Sequence, residues 1–223
     1  MAAGIVVGRM NIPAELETAY NEWYNAEHLT GTVAVSGFVR GRRYVQVYGE
    51  NSPAKYATVY DLESPNVVEG EGYAAWTASF ASRNTFGYRE IRPKFQDFTK
   101  FIGEQIFPIG APYEPPAAAE YLLLMMSEPE DGLDEEFNAW YDTEHIPLLL
   151  QVPGILTARR FRAVAGSDGP RYIAIYDLAS PDVFQGEHYE KLRTTPWTLR
   201  IRSRYKNRLR FVGRRVSPVV TKP

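Results

Sequence analysis

Two of the three histidines in this 223-residue chain close the same short motif. His28 ends Asn21-Glu22-Trp23-Tyr24-Asn25-Ala26-Glu27-His28, and His145 ends Asn138-Ala139-Trp140-Tyr141-Asp142-Thr143-Glu144-His145. An imidazole beside a carboxylate, with Trp and Tyr one helical turn earlier, has the parts needed to move a proton on a planar organic substrate. A histidine in the last turn of a helix feels the negative end of the dipole, and the adjacent Glu27 or Glu144 adds to it, so each imidazole is expected to titrate near physiological pH. A purely structural reading competes. Tyr24/His28 and Tyr141/His145 stand four residues apart and can stack to tie the helix end to the strand beneath.

The third histidine, His188, belongs to the second copy alone, where it replaces Gly72 in Gly-Glu-x-Tyr. Placed early on a second helix beside the first, it could face the same cavity as His145. Tyr60-Asp61 and Tyr176-Asp177 end matching strands, and alternation puts only one of each pair toward a helix-side pocket. The Asp residues read as caps or turn residues before Ser-Pro. Arg42-Arg43 and Arg159-Arg160 also alternate faces. One of each pair, such as Arg159, could hold a carboxylate or phenolate, with cross-strand pairing to Asp or Glu as the competing role.

The elements that must position these groups occur twice. Leu16, Tyr20, Trp23 and Tyr24 recur at helical spacing, as do Leu133, Phe137, Trp140 and Tyr141, and both helices are expected to stop at Glu-His. A short apolar strand precedes each helix. A glycine (Gly37, Gly154), two strands and a turn-rich loop follow, and Ser64-Pro65 or Ser180-Pro181 then opens a second helix before a final strand. The order is βαββαβ, the ferredoxin-like arrangement of an α+β protein. The units run over 1–107 and 119–216, joined by a Pro-rich linker at 108–118 and followed by a tail at 217–223. The first copy carries six extra residues in or after its second helix. A four-stranded sheet with both helices on one face must bury the other, so the two sheets are expected to pack face to face around a barrel-like core, forming an internal pseudo-dimeric α+β barrel.

Composition narrows the possibilities. Hydrophobic residues make up 44% and charged residues 23%, as in an ordinary globular protein. With no cysteine and three scattered histidines, neither a zinc site nor thiolate chemistry is expected. The longest apolar run, Tyr121 to Met126, is far too short to cross a bilayer, and the N-terminus reads as an opening strand, which places the protein in the cytoplasm with no membrane partner. The net charge is −2, yet ten basic residues and no acidic one lie between Lys191 and Arg215. Without a stacking platform this stripe reads as an arginine-guarded strand edge, and no nucleic-acid partner is expected.

Trp-Tyr-x-x-Glu-His, the glycine after the helix, Tyr-Asp-Leu-x-Ser-Pro and Thr195-Pro196-Trp197 together resemble the EthD-like branch of the dimeric α+β barrel superfamily, in both copies. The resemblance implies a small cofactor-free enzyme with a pocket between sheet and helices, in which histidine and tyrosine (His145, His28 and Tyr141 here) transfer protons. Lactone isomerases, polyketide cyclases, decarboxylases and quinone-forming monooxygenases belong to that superfamily; other members bind haem. A small-molecule lyase or isomerase is the reading it favours, with a cofactor-free monooxygenase or a haem or hydrophobic-ligand carrier as alternatives; further self-association is left open. The second copy, with His145, His188, Asp142, Glu144, Trp140, Tyr176 and Trp197, is expected to hold the more competent site. Trp23, Tyr24 and Glu27 contribute to a lesser one in the first.

Overall fold

In each half, an apolar strand feeds a helix whose buried stripe returns it to the sheet. The computed structural model describes residues 3–111 and 113–222. In the first half, β1 (Gly4–Asn11) leads into α1 (Glu17–Trp23), a five-residue π-helical turn (Tyr24–His28) and α2 (Leu29–Val33). Then come β2 (Phe38–Glu50), β3 (Tyr56–Leu62), α3 (Glu71–Ala78) and β4 (Gln96–Phe107). The second half repeats this with β5 (Tyr121–Pro129), α4 (Asp134–Trp140), a π-turn (Tyr141–His145), α5 (Ile146–Leu149), β6 (Ile155–Ala163), β7 (Tyr172–Leu178), α6 (Glu187–Leu192), α7 (Pro196–Arg202) and β8 (Tyr205–Arg215). The helices therefore do not stop at Glu-His. They widen by one π-turn there and run on, which removes the expected helix-end dipole from both histidines.

The glycines after these helices carry φ of +86° at Gly37 and +91° at Gly154. A Cβ at either position would also strike the matching valine of the next turn, Val67 or Val183. The chain can reverse there only without a side chain. Ser64 and Ser180 cap as expected, each accepting from the backbone N–H two residues on, but what they open is a short 3₁₀ turn ahead of α3 or α6.

Within each half the strands lie in the order β2-β3-β1-β4 or β6-β7-β5-β8, and β4 then pairs with β6 while β8 pairs with β2. The expected barrel is present, but its two sheets join edge to edge and not as two stacked layers. All eight strands close into one antiparallel barrel, and the faces expected to meet each other line its interior. Edge pairing wins because it satisfies the backbone groups of four otherwise open edges while enclosing the apolar faces. Ile5, Val7, Phe101, Leu124, Phe161 and Phe211 fill the inside. A short β9 (Val220–Thr221) pairs beside β2. Among the described residues no helix is long and apolar enough to cross a membrane.

Strand alternation sorts the paired residues. Arg43 and Arg160 face the helices and clamp them. Arg43 donates to Asn25 Oδ1 (2.7 Å) and Asn21 Oδ1 (3.0 Å), while Arg160 donates to Asp142 Oδ1 and Asn138 Oδ1, both at 2.6 Å. Their guanidiniums lie 4.3 Å over Tyr24 and 4.2 Å over Tyr141, a cation–π contact repeated in both halves. Arg42, Arg159, Asp61 and Asp177 instead enter the barrel. Asp61, with no exposed surface, accepts from Arg42 at 2.7 Å and from Arg159 of the other half at 2.9 Å. Burial alone would raise its pKa, but Arg159 and Arg42 together outweigh that and hold it down to about 2. Asp177 accepts from Thr157 Oγ1 (2.5 Å) and from the linker phenol Tyr113 (2.6 Å), whose ring lies 3.4 Å beneath the Arg159 guanidinium. The two aspartates are therefore interior ion-pair and hydrogen-bond acceptors and not turn caps. Arg159, expected to bind substrate, is committed to this cluster on the opposite face of the sheet from the helices.

Candidate functional site

Between the outer face of the first-half strands and the helices lies a cavity of about 280 Å³. Val6, Gly8, Phe38 and Tyr60 form its floor, and Tyr24, His28, Thr32, Trp76 and Phe80 its helical wall. Phe95, Phe98, Arg92 and Lys100 close the remaining side. The π-turn holds the His28 ring among aromatics: Tyr24 at 4.6 Å, Trp23 at 5.2 Å and Phe80 at 5.5 Å between centroids. Its Nδ1 is 3.0 Å from the Tyr88 hydroxyl. The Tyr24 and Tyr60 hydroxyls, 3.5 Å apart, lie in the same cavity wall. Thr32 accepts from Trp76 Nε1 at 3.2 Å, which docks α3 on α2.

The electrostatics differ from the sequence expectation. Burial, then the cations Arg92, Arg43 and Arg83, push the His28 pKa down to about 3. The imidazole is neutral at pH 7 and sits in a positive field. Burial drives the Tyr60 and Tyr88 phenols upward, so both keep their protons. The site offers a neutral ring nitrogen, hydroxyl donors and nearby cations, an arrangement that favours a substrate acquiring negative charge.

The equivalent space in the second half has shrunk to about 40 Å³, lined by Met125, Tyr141, His145, Tyr189, Arg193, Arg202, Tyr205, Arg208 and Arg210. The β-ladders show the cause. Gly8 pairs with Lys100 across β1 and β4, and at the same place across β5 and β8 Met125 pairs with Arg210. The thioether chain occupies what Gly8 leaves open, and Arg208 takes the place of Phe98. His145 stacks on Trp140 at 4.3 Å, and its Nδ1 is buried without a partner. Thr198, which replaces Tyr88, accepts from Trp140 Nε1 at 3.1 Å and does not reach the imidazole. Burial, followed by Arg202, Arg160 and Arg193, brings the His145 pKa to about 3 as well. The room for an organic ligand is thus in the first half, opposite to the expectation drawn from the residue inventory.

The other sequence candidates divide between framework and surface. Tyr141 and Tyr176 are buried beneath α4, Tyr176 with its hydroxyl unpartnered. Asp142 is held by Arg160, and Glu144 accepts from Thr195 at 2.6 Å, as Glu27 does from Thr85 at 3.1 Å. Trp197 donates to Glu136 at 3.1 Å and does not line the cavity. Trp23 packs where a Cβ on Gly87 would overlap it, so the glycine that replaces Trp197 is there to admit this indole. His188 is exposed on α6, because that helix turns Tyr189 inward. It does not join His145. Sequence reasoning missed Tyr88, Trp76, Phe80 and Phe98. They lie around the six extra residues, and a glycine inside a strand at Gly8 was the available signal for a close approach or an open space.

No family model matches this sequence, and no curated protein does. Solved structures do match over almost the whole chain. An anthrone oxidase-like protein aligns with TM-score 0.67 and 13% identity, covering 99% of this chain and 94% of its own. A candidate monooxygenase from Lactobacillus acidophilus NCFM gives 0.58 and 10%, covering 100% and 97%. A mutant chlorite dismutase from Candidatus Nitrospira defluvii, in complex with cyanide, gives 0.60 and 10%, covering 97% and 91%. These are dimeric α+β barrel proteins, and this chain has their fold.

Proposed function

We propose that this protein is a cofactor-independent enzyme of small-molecule metabolism in which His28 accepts a proton from a planar phenolic or cyclic carbonyl substrate in the first-half cavity. The observation that carries this is a neutral imidazole, anchored through Nδ1 to Tyr88, inside an aromatic-walled cavity edged by cations. With Nδ1–H donating to the Tyr88 oxygen, Nε2 holds a free lone pair. The substrate O–H or acidic C–H bond breaks toward it, and the electron pair stays on the substrate as a phenolate or enolate. Tyr24 and Tyr60 donate to that oxygen, and Arg92 and Lys100 stabilise its charge. A ring whose pKa is about 3 is a weak base in isolation, but the anion formed beside it favours the imidazolium and offsets the difference. Return of the proton to another carbon completes an isomerisation. Addition of the carbanion to a carbonyl carbon of the same substrate, with the proton passing to that carbonyl oxygen, completes a cyclisation. Expulsion of a β-oxygen group, which leaves with its bonding pair and takes the proton, completes an elimination.

A second reading draws on the likeness to an anthrone oxidase-like protein and a candidate monooxygenase. The same carbanion can react with dioxygen, converting a CH2 between two rings to C=O with release of water. A haem fits poorly: the macrocycle exceeds a drug-sized ligand, and the cavity of about 280 Å³ is at the small end even for those. We place the chain in the EthD-like branch as a fused pair of ferredoxin-like units, 1–107 and 119–216, working in the cytoplasm. The test is turnover of anthrone-type and phenolic ketone substrates with and without air. Anaerobic turnover supports the isomerase-type reading, and consumption of one O2 per product supports the oxygenase. Absence of turnover and of binding by any planar phenol would overturn both.

A further inference from the structure

The stripe of cations between Lys191 and Arg215 does not guard a free edge, because β8 is paired with β5 on one side and β2 on the other. Four of its arginines turn toward the small cavity beside His145: Arg193 after α6, Arg202 at the end of α7, and Arg208 and Arg210 on β8. Among the described residues no carboxylate lines that space. Arg193 meets Glu190 at 2.6 Å and Arg208 meets Glu50 at 2.8 Å, through carboxylates that are half-exposed, while Arg210 donates to the Tyr48 hydroxyl at 2.7 Å. Arg202 is crowded by Arg208 and Arg193 and, among the described residues, takes part in no ion pair. Arg210 Nε and His145 Nδ1 are buried without partners.

We propose that this second-half cavity binds a small tetrahedral oxyanion, a phosphate or sulfate, either free or at the end of an organic ester. Size and charge agree on it. A space of about 40 Å³ holds on the order of three water-sized groups, too few for an aromatic ring and suited to a compact four-oxygen anion. Arg202 and Arg210 bring guanidiniums to this space with no carboxylate partner among the described residues, and the carboxylates of Arg193 and Arg208 lie outside its lining. An oxyanion among the four relieves their repulsion while accepting the forked N–H donors that Arg presents. The first half lacks this set: Phe98 and Lys100 stand where Arg208 and Arg210 do, and no residue matches Arg193 in its cavity lining.

The 223-residue chain is titrated calorimetrically with orthophosphate, with sulfate and with phenyl phosphate, at ionic strength matched with chloride. Saturable one-to-one binding is expected, weakened about tenfold or more in Arg202→Gln, the loss of one charge-assisted contact. The surface variant Arg162→Gln should bind as the wild type does. Tighter binding of phenyl phosphate identifies an ester as the source, and binding of orthophosphate alone identifies the free ion. Circular dichroism checks that Arg202→Gln is folded, and Arg208→Gln serves where it is not. Absence of saturable binding by all three anions overturns the proposal. So does equal affinity in the folded arginine variants, or binding confined to a single-stranded oligonucleotide, which would mark a diffuse polyanion surface.

Discussion

Under His28 the strand carries Gly8, and under His145 it carries Met125; around that exchange the two halves part ways. The framework is common to both, down to the π-turn, the arginine clamp beneath the helix and the glycine at positive φ. The space is not. One half keeps an aromatic cavity of about 280 Å³, and the other keeps about 40 Å³ walled by arginines. Two halves of one barrel can thus share a framework while a few cavity-lining positions decide how much space each leaves, because framework and cavity residues occupy different positions.

The largest expected effect separates the two histidines. His28→Ala should lower turnover about 10²- to 10⁴-fold, the range for loss of a positioned general base, while His145→Ala stays near wild type. Equal losses in steady-state assays of the two folded variants would erase the distinction between the halves. Next, Gly8→Met imports the second half's filling group into the first. Binding of a planar phenol, followed by quenching of tryptophan fluorescence, should weaken on the order of 100-fold. The fold should tolerate it, since a Cβ at Gly8 meets only ordinary contacts. Unchanged affinity would place the ligand elsewhere.

Acid should expose what the halves share. Both imidazoles are held near pKa 3 in the fold against about 6.5 when unfolded. Between those values the unfolded chain binds the protons that the folded one refuses. Stability should therefore be unaffected above about pH 6.5 and fall as pH drops below it, by at most about 1.4 kcal/mol per pH unit for each histidine. Urea melts of His28→Gln and His145→Gln at pH 7 and pH 5 measure the share of each; a wild-type slope in both would mean neither is held neutral. The smallest effect belongs to Tyr88→Phe. Loss of the hydrogen bond that anchors Nδ1 should cost about 3- to 10-fold in kcat, with KM little changed, in line with one neutral hydrogen bond. A larger change in KM would show that Tyr88 contacts the substrate instead.

The repeat, the order of elements and the alternation of Tyr60-Asp61 and Arg42-Arg43 were legible in the sequence, because each depends on local period and turn chemistry. Where the sheets would meet was not. Edge pairing of β4 with β6 and β8 with β2 depends on long-range register, which no local pattern encodes. The aromatic motif pointed to the right neighbourhood, yet counting polar groups favoured the second half, where His188 turns outward and Trp197 is tied to Glu136. Pocket volume depends on what is absent, and Gly8 has no side chain to attract notice. The pKa expectation failed for a related reason. It assumed a helix end at His28, and the π-turn lets the helix continue to Val33.

Tyr113 and Asp61 bear on why one chain suits this barrel. Two identical subunits around a twofold axis must present every residue in duplicate, so a phenol brought to the axis from one comes with a second from the other. Here a single Tyr113 reaches Asp177, while Asp61 draws a guanidinium from each half, and Arg40 faces Glu114 where its counterpart position holds Thr157. Such an arrangement is unavailable to a symmetric pair. With both halves in one chain the axis is free of that symmetry, and because Asp61 takes a guanidinium from each side of it, separating the halves would leave a buried charge without part of its counter-charge.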